Sequence, residues 1–221
     1  VIKIASPEIR NIPLINKTVE SKLPMIISSG YSNINEIKLA AKNIKKKNFN
    51  DCAFLHCTSQ YPCSMENSNL MSIVYIKNFL GSKFSVGFSD HTTGDEASVL
   101  AVCLGANIIE KHITLSKKLK GPDHFFAMEI NELKKMVSKI RNVKKIFGKY
   151  KKIKLKDENK VFINVFSNKK IEKDKRITKK DIICKRDFTS GMHSKYFRKI
   201  VGKRLKINLS KNEKLNFKMI R

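Results

Sequence analysis

Five short apolar runs, VIKIAS, PMIISSG, CAFLHCTS, FSVGFSD and NIIEKHI, recur along the first two thirds of the chain, and a segment of helical character follows each. In NINEIKLAAKNIKKK, for example, Ile34, Ile37, Ala41 and Ile44 share one helical face. The runs are almost continuously apolar and do not alternate, so both faces of each strand must be covered. Regular βα alternation with such strands predicts a parallel sheet wrapped by helices. That is an α/β fold, and a (β/α)8 barrel fits it best. A complete barrel of this kind takes about 250 residues. Five units before the pattern changes therefore predict a barrel incomplete at its N-terminal side, short by up to three units. A first residue other than Met points the same way.

The residues that carry chemistry fall at the C-terminal ends of these strands: Lys3 and Ser6, Ser28 and Ser29, His56 and Ser59, Ser89 and His91, Lys111 and His112. Active sites of α/β folds are built at that end. The segments GFSDHTTG and IIEKHITL each stop on a histidine, so His91 and His112 are expected to converge in one barrel mouth. Neutral imidazoles suit Zn, Mn or Fe, and two of them leave positions open for water and substrate oxygens. The alternative for either histidine is a hydrogen-bonded structural role. Lys3, Ser6, Ser59, Ser89 and Lys111 add a cationic and hydroxylic rim that matches a phosphate or carboxylate. A serine at a βα junction can equally cap the next helix. Asp123 and His124 follow on the short GPDH loop.

Residues 1–150 form the expected catalytic domain, and residues 151–160, within the lysine-rich stretch KYKKIKLKDENK, the expected linker. Residues 161–221 have short β-type runs, VFINVFS, IIC and KIVGKRLKI, and predict a small, mostly-β module. The net charge of +27 accompanies abundant Lys, Asn and Ile spread along the chain, as codon bias toward A and T would produce. No nucleic-acid motif accompanies it, so no nucleic-acid partner is expected. No run of about 18 apolar residues predicts a membrane span, and the first residues do not read as a signal peptide. Five cysteines without metal-site spacing are expected to be buried, reduced thiols of a cytoplasmic protein.

The series IKIAS, PMIISSG, LHCTSQYP, GFSDHTTG, IIEKHITL and GPDH closely resembles the sialic acid synthase family, and the tail resembles that family's antifreeze-like (SAF) domain through ITKKDI, KR....GM and VGKRL. The resemblance implies a transferase that condenses phosphoenolpyruvate with N-acetylmannosamine or a related amino sugar, forming a sialic acid and releasing phosphate. It implies a divalent metal on His91 and His112, usually manganese, with magnesium or cobalt as alternatives. Lys3, Ser6, Ser59 and Ser89 would contact phosphoenolpyruvate. Tyr61, Asp123 and, across a homodimer, Arg186 would contact the amino sugar. Asp123 joins His91 and His112 in the implied catalytic set. In the implied reaction the metal polarises the open-chain sugar's aldehyde, C3 of phosphoenolpyruvate attacks it, and water adds at C2 before the carbon–oxygen bond to phosphate breaks.

The chain departs from the family pattern in three places. Ser59 stands where the family commonly has Asn. The start of the tail reads VFINVFS in place of an Arg-Arg-Ser run. KRDFTSGM replaces KRPGxGI and is one residue longer. The first βα units of the family also supply substrate contacts, so the 221-residue chain alone is expected to be inactive. GPDH resembles the neuraminic and legionaminic branch more than the pseudaminic one. A legionaminic or pseudaminic acid synthase, and a non-catalytic sugar-binding protein, are the alternatives.

Overall fold

A computed structural model describes residues 1–153, 155 and 161–221, so most of the expected linker lies outside the described residues. The chain forms two compact units, Val1–Gly148 and Lys149–Arg221.

The first unit is built on parallel strands that follow one another in space as in sequence: β1 (Ile2–Ile4), β2 (Met25–Ser28), β3 (Cys52–Cys57), β4 (Ser85–Asp90) and β5 (Ile109–Lys111). Helices α1 (Ile12–Glu20), α2 (Ile34–Lys46), α3 (Met71–Leu80) and α4 (Glu96–Cys103) connect them. The start of α2 is fixed by its sequence. Asn33 accepts from the backbone N–H groups of Asn35 and Glu36, and Glu36 accepts in return from the Asn33 N–H, which satisfies donors the helix cannot pair internally. All six residues of β3 are buried, in keeping with a run that is apolar but for His56. Ile4, Ile27, Phe54, Val86 and Phe88 pack against Ile15, Ile37, Ile44, Ile73 and Ala101 to form the sheet–helix core.

Beyond His112 the extended chain continues as β6 (Ile113–Thr114), which pairs in parallel with β7 (Met128–Glu129) just before the long helix α5 (Ile130–Phe147). This sixth strand position was not expected. Two residues are too few to carry a periodic signal. The sheet is strongly curled. Lys3 on β1 and Glu110 on β5 sit four strand spacings apart, roughly 19 Å in a flat sheet at about 4.8 Å per step. Their charged groups nevertheless approach to 3.5 Å. A parallel sheet curled this far is half of a barrel wall, and its concave face holds the polar strand-end residues.

The second unit pairs β8 (Phe162–Ser167) with β9 (Ile182–Asp187) in antiparallel register around a core of Val165, Ile171, Ile177, Met192, Leu205, Leu209 and Leu215. KIVGKRLKI is not the β-run expected. It begins in the short helix α6 (Phe197–Ile200) and turns at Gly202, whose φ of +86° a side chain would strain. In KRDFTSGM the Asp187 carboxylate takes over the turn. It accepts from the backbone N–H of Phe188 and Thr189 and pairs with Lys214 at 2.7 Å. The five cysteines are all free. Cys52, Cys57 and Cys63 are buried, but Cys103 and Cys184 are exposed, against expectation, because each lies on the outer side of its element. No helix among the described residues is long and apolar enough to cross a membrane.

Asp181 is a buried carboxylate of this unit. Burial alone would raise its pKa, but Lys169 at 2.8 Å and two donors from Thr178 outweigh burial and hold it at about 2. A depressed carboxylate contributes stability that is complete above its unfolded pKa of about 4. That stability is lost as the pH falls through the folded value of about 2. Asp181→Asn should therefore destabilise the second unit by about 2 kcal/mol at pH 7. It should also flatten the acid limb of the stability curve between about pH 4 and 2. Denaturant titrations of both proteins across that range check this.

Candidate active site

Strand parity fixes which side chains face the concavity. In a parallel pair, residues in register point the same way, and every second residue returns to that face. Cys57, Ser89 and Glu110 are cross-strand partners in one row, and Ser89 Oγ donates to Glu110 Oε1 at 2.7 Å. Two residues further on, the same face carries His91 and His112. Lys3 reaches this row from β1, donating to Ser28 Oγ at 2.8 Å and pairing with Glu110. The expected residues Lys3 and Ser89 thus meet through Glu110, which the sequence reading passed over. Glu110 lies two residues before His112 and shares its face.

A second cluster forms around Gly30. A Cβ there would lie 2.1 Å from Ser59 Oγ, 2.8 Å from Ser6 Oγ and 3.1 Å from Cys57 Sγ. The glycine lets the backbone approach, and its N–H donates to Ser6 Oγ at 3.0 Å. Ser6 in turn donates to Cys57 Sγ at 3.6 Å. Ser59 Oγ is buried with no hydrogen-bond partner among the described residues. A buried hydroxyl without a partner carries a desolvation cost, and a bound oxyanion would relieve it.

The two histidines do converge. Their ring centroids lie 5.2 Å apart at an interplanar angle of 73°. His91 Nδ1–H donates to the Thr58 carbonyl at 2.8 Å, and the His112 Nδ1 faces Asp123 Oδ2 at 3.5 Å. The Thr58 contact places the His91 proton on Nδ1 and leaves its lone pair on Nε2, an arrangement that orients metal-binding imidazoles. No set of three or more His, Cys, Asp or Glu residues suited to a metal occurs among the described residues, so a metal held here would have two imidazole donors and open positions. That set fits Mn, Fe or Zn.

Tyr61 lies over His91 at 4.1 Å between centroids and 5.9 Å from His112. Tyr61 and Asp123 thus border the histidine pair, both about half exposed. Arg186 belongs to the second unit, exposed on β9 opposite Ile163. His56, also at a strand end, faces the helix layer. It stacks on Phe88 and bonds the Ser68 carbonyl at 2.8 Å, a structural role.

The charges at the site are unequal. Burial lowers the pKa of His91, but Cys57 and the Thr58 carbonyl outweigh it and raise the value. Burial and the neighbouring His91 both lower His112. Burial pushes the Cys57 thiol up, yet the His91 and Ser6 contacts bring it below its ordinary value. The imidazoles therefore resist carrying protons together.

Residues 1–152 match the NeuB family. The chain is 36% identical over 219 residues to the N,N'-diacetyllegionaminic acid synthase of Legionella pneumophila, covering 95% of this chain and 60% of that protein. It is 35% identical over 218 residues to the pseudaminic acid synthase of Helicobacter pylori, covering 97% and 63% respectively. The crystal structure of an N-acetylneuraminic acid synthetase from Leptospira borgpetersenii, solved with citrate, superposes with a TM-score of 0.65 at 38% identity. That match covers 71% of this chain and 54% of the other. The chain spans about three fifths of the length of the first curated relatives it matches. On these matches, and on the paired histidines and strand-end cluster that accompany them, the chain belongs to the NeuB family.

Proposed function

We propose that this chain is the greater part of a synthase that condenses phosphoenolpyruvate with an N-acetyl amino sugar, giving a sialic-acid-type sugar acid and phosphate. The observation that carries this reading is the single concave face on which Lys3, Ser89 and Glu110 adjoin the His91–His112 pair. In the whole protein, further strands beside β1 and β7 would close the barrel. The second unit would serve as an antifreeze-like domain. In a cytoplasmic homodimer its Arg186 would reach the partner's amino sugar.

Lys3 supplies positive charge to the phosphate and carboxylate of phosphoenolpyruvate; the unpartnered Ser59 hydroxyl donates directly, and Ser6 and Ser89 donate by rotating their hydroxyls away from Cys57 and Glu110. They hold its C3 facing the acceptor aldehyde, a positioning and charge-stabilising role. His91 and His112 would hold a divalent cation, manganese first, which would polarise that aldehyde. Tyr61 and Asp123 border the histidine pair and would contact the sugar. The C3–aldehyde carbon bond forms, water adds at C2, and the carbon–oxygen bond to phosphate breaks. The product keeps the 2-keto acid. The acceptor is N-acetylmannosamine on this reading. A diacetylated sugar is the second candidate, favoured by the similarity to the legionaminic acid synthase.

The test is acceptor-dependent phosphate release from phosphoenolpyruvate, measured with each amino sugar for residues 1–221 and for a longer chain whose upstream strands complete the barrel. Release with one acceptor supports the reading and names the sugar. Sugar binding without release from either chain would favour the non-catalytic alternative. His91→Ala or His112→Ala in the active form should abolish release while the folded spectrum is kept.

Ser59→Ala separates binding from folding. Removing an unpartnered buried hydroxyl should leave stability unchanged or raise it by up to about 1 kcal/mol. A hydrogen bond to a charged group is worth about 1.5–3 kcal/mol, so KM for phosphoenolpyruvate should rise roughly ten- to hundredfold. Thermal unfolding and KM, measured on the same two proteins, check both halves.

A further inference from the structure

Directly behind the histidine pair, on the helix side of the sheet, lies a buried ion pair that the proposed reaction does not use. Asp90 and Lys111 are cross-strand partners on β4 and β5, and each immediately precedes one of the two histidines. Lys111 Nζ lies 2.8 Å from Asp90 Oδ2, with the two side chains 4% and 0% exposed. Replacing such a buried pair by apolar groups of similar size is often neutral or stabilising. Net stability is therefore a poor reason for its presence.

The remaining contacts indicate another reason. Lys111 Nζ also donates to the Thr92 carbonyl at 2.5 Å and lies 3.5 Å from Thr92 Oγ1. Asp90 Oδ1 accepts from the Thr92 N–H and from Thr92 Oγ1, each at 2.8 Å, and Oδ2 accepts from Ser98 Oγ on α4 at 2.6 Å. One ammonium group thus grips the residue before His91 and the residue after it. It belongs to the residue before His112. The backbone on both sides of one imidazole is tied to the strand that presents the other. Below this point, ladder hydrogen bonds between β4 and β5 do that work, but the named pairing ends at Asp90 and Lys111.

Resting on the reading of His91 and His112 as ligands of one cation, we propose that Asp90 and Lys111 are positioning residues that set the separation of the two imidazoles and hold His91 Nδ1 against the Thr58 carbonyl. They touch neither substrate nor metal. Their function is to continue the strand pairing one residue past the end of the sheet. The histidines then meet a cation already oriented, without first losing freedom.

The test compares wild type with Asp90→Asn/Lys111→Met, which removes both charges and keeps similar volumes. Mn2+ binding is measured by calorimetry, unfolding by heat, and the His91 ring tautomer by 15N NMR of the metal-free protein. The proposal expects Mn2+ affinity to fall about 10- to 100-fold, the range for losing an outer partner of a ligand. It also expects Tm unchanged or raised, and the ring to pass from a single Nδ1–H form to a mixture. Lys139→Met, which breaks the exposed pair with Asp95, should change none of the three. A double variant with wild-type Mn2+ affinity and an unchanged ring spectrum would overturn the proposal. Should wild type itself fail to bind Mn2+, the metal reading falls, and the ring spectrum alone decides the positioning role in either direction. If the double variant does not fold, Ser98→Ala releases Asp90 from α4 with both charges in place. It should loosen Mn2+ severalfold, and no change would equally overturn the proposal.

Discussion

The site depends on the parallel register of β4 and β5. Phe88 pairs with Ile109, Ser89 with Glu110 and Asp90 with Lys111, so His91 and His112 fall next in line on neighbouring strands. A slip of one residue would turn one histidine into the helix layer and its acidic or basic neighbour into the concavity. Gly87 helps hold that register. A Cβ there would lie 2.4 Å from the Ile108 carbonyl oxygen and 2.5 Å from a Leu55 methyl. No side chain fits between β4 and its neighbours at that level.

Register also sorts the polar residues by task. The row that carries Ser89 and Glu110 faces the concavity and, with Lys3, makes a charged and hydroxylic floor. The next row, Asp90 and Lys111, faces the helices and is satisfied within the protein. The row after that returns the histidines to the concave face. Two-residue alternation thus puts groups that face the concavity and their internal supports in consecutive positions of the same short segments. Such segments can be dense in charge without leaving a charge unpaired in the core.

Much of this was legible in the sequence because each apolar run ends abruptly in polar residues. An apolar run marks a covered strand, and its end marks the rim of the sheet. Lys3, Ser6, Ser89, His91 and His112 were placed at strand ends that way; Lys111, expected on the same rim, instead turns to the helix side and pairs with Asp90. Glu110 does not stand out in the sequence, because it lies inside the run IIEKHI and its role comes from Lys3 and Ser89 reaching it from other strands. Gly30 could not be read, since its importance comes from Ser6, Ser59 and Cys57 converging from three different segments. The strand Met128–Glu129 is too short for periodicity, and it is held by pairing with Ile113–Thr114. In the second unit, isolated bridges such as Ile171 with Leu209 and Arg176 with Arg204 do the work that longer strands were expected to do. Bridges of one residue leave no pattern in a sequence.

The central claim is that His91 and His112 share one cation, and pulsed electron paramagnetic resonance of the Mn2+-loaded protein tests it most directly. The account predicts modulation from two imidazole nitrogens in wild type, from one in His91→Ala and from one in His112→Ala. Bound Mn2+ showing no nitrogen coupling, or coupling that neither substitution changes, would contradict it.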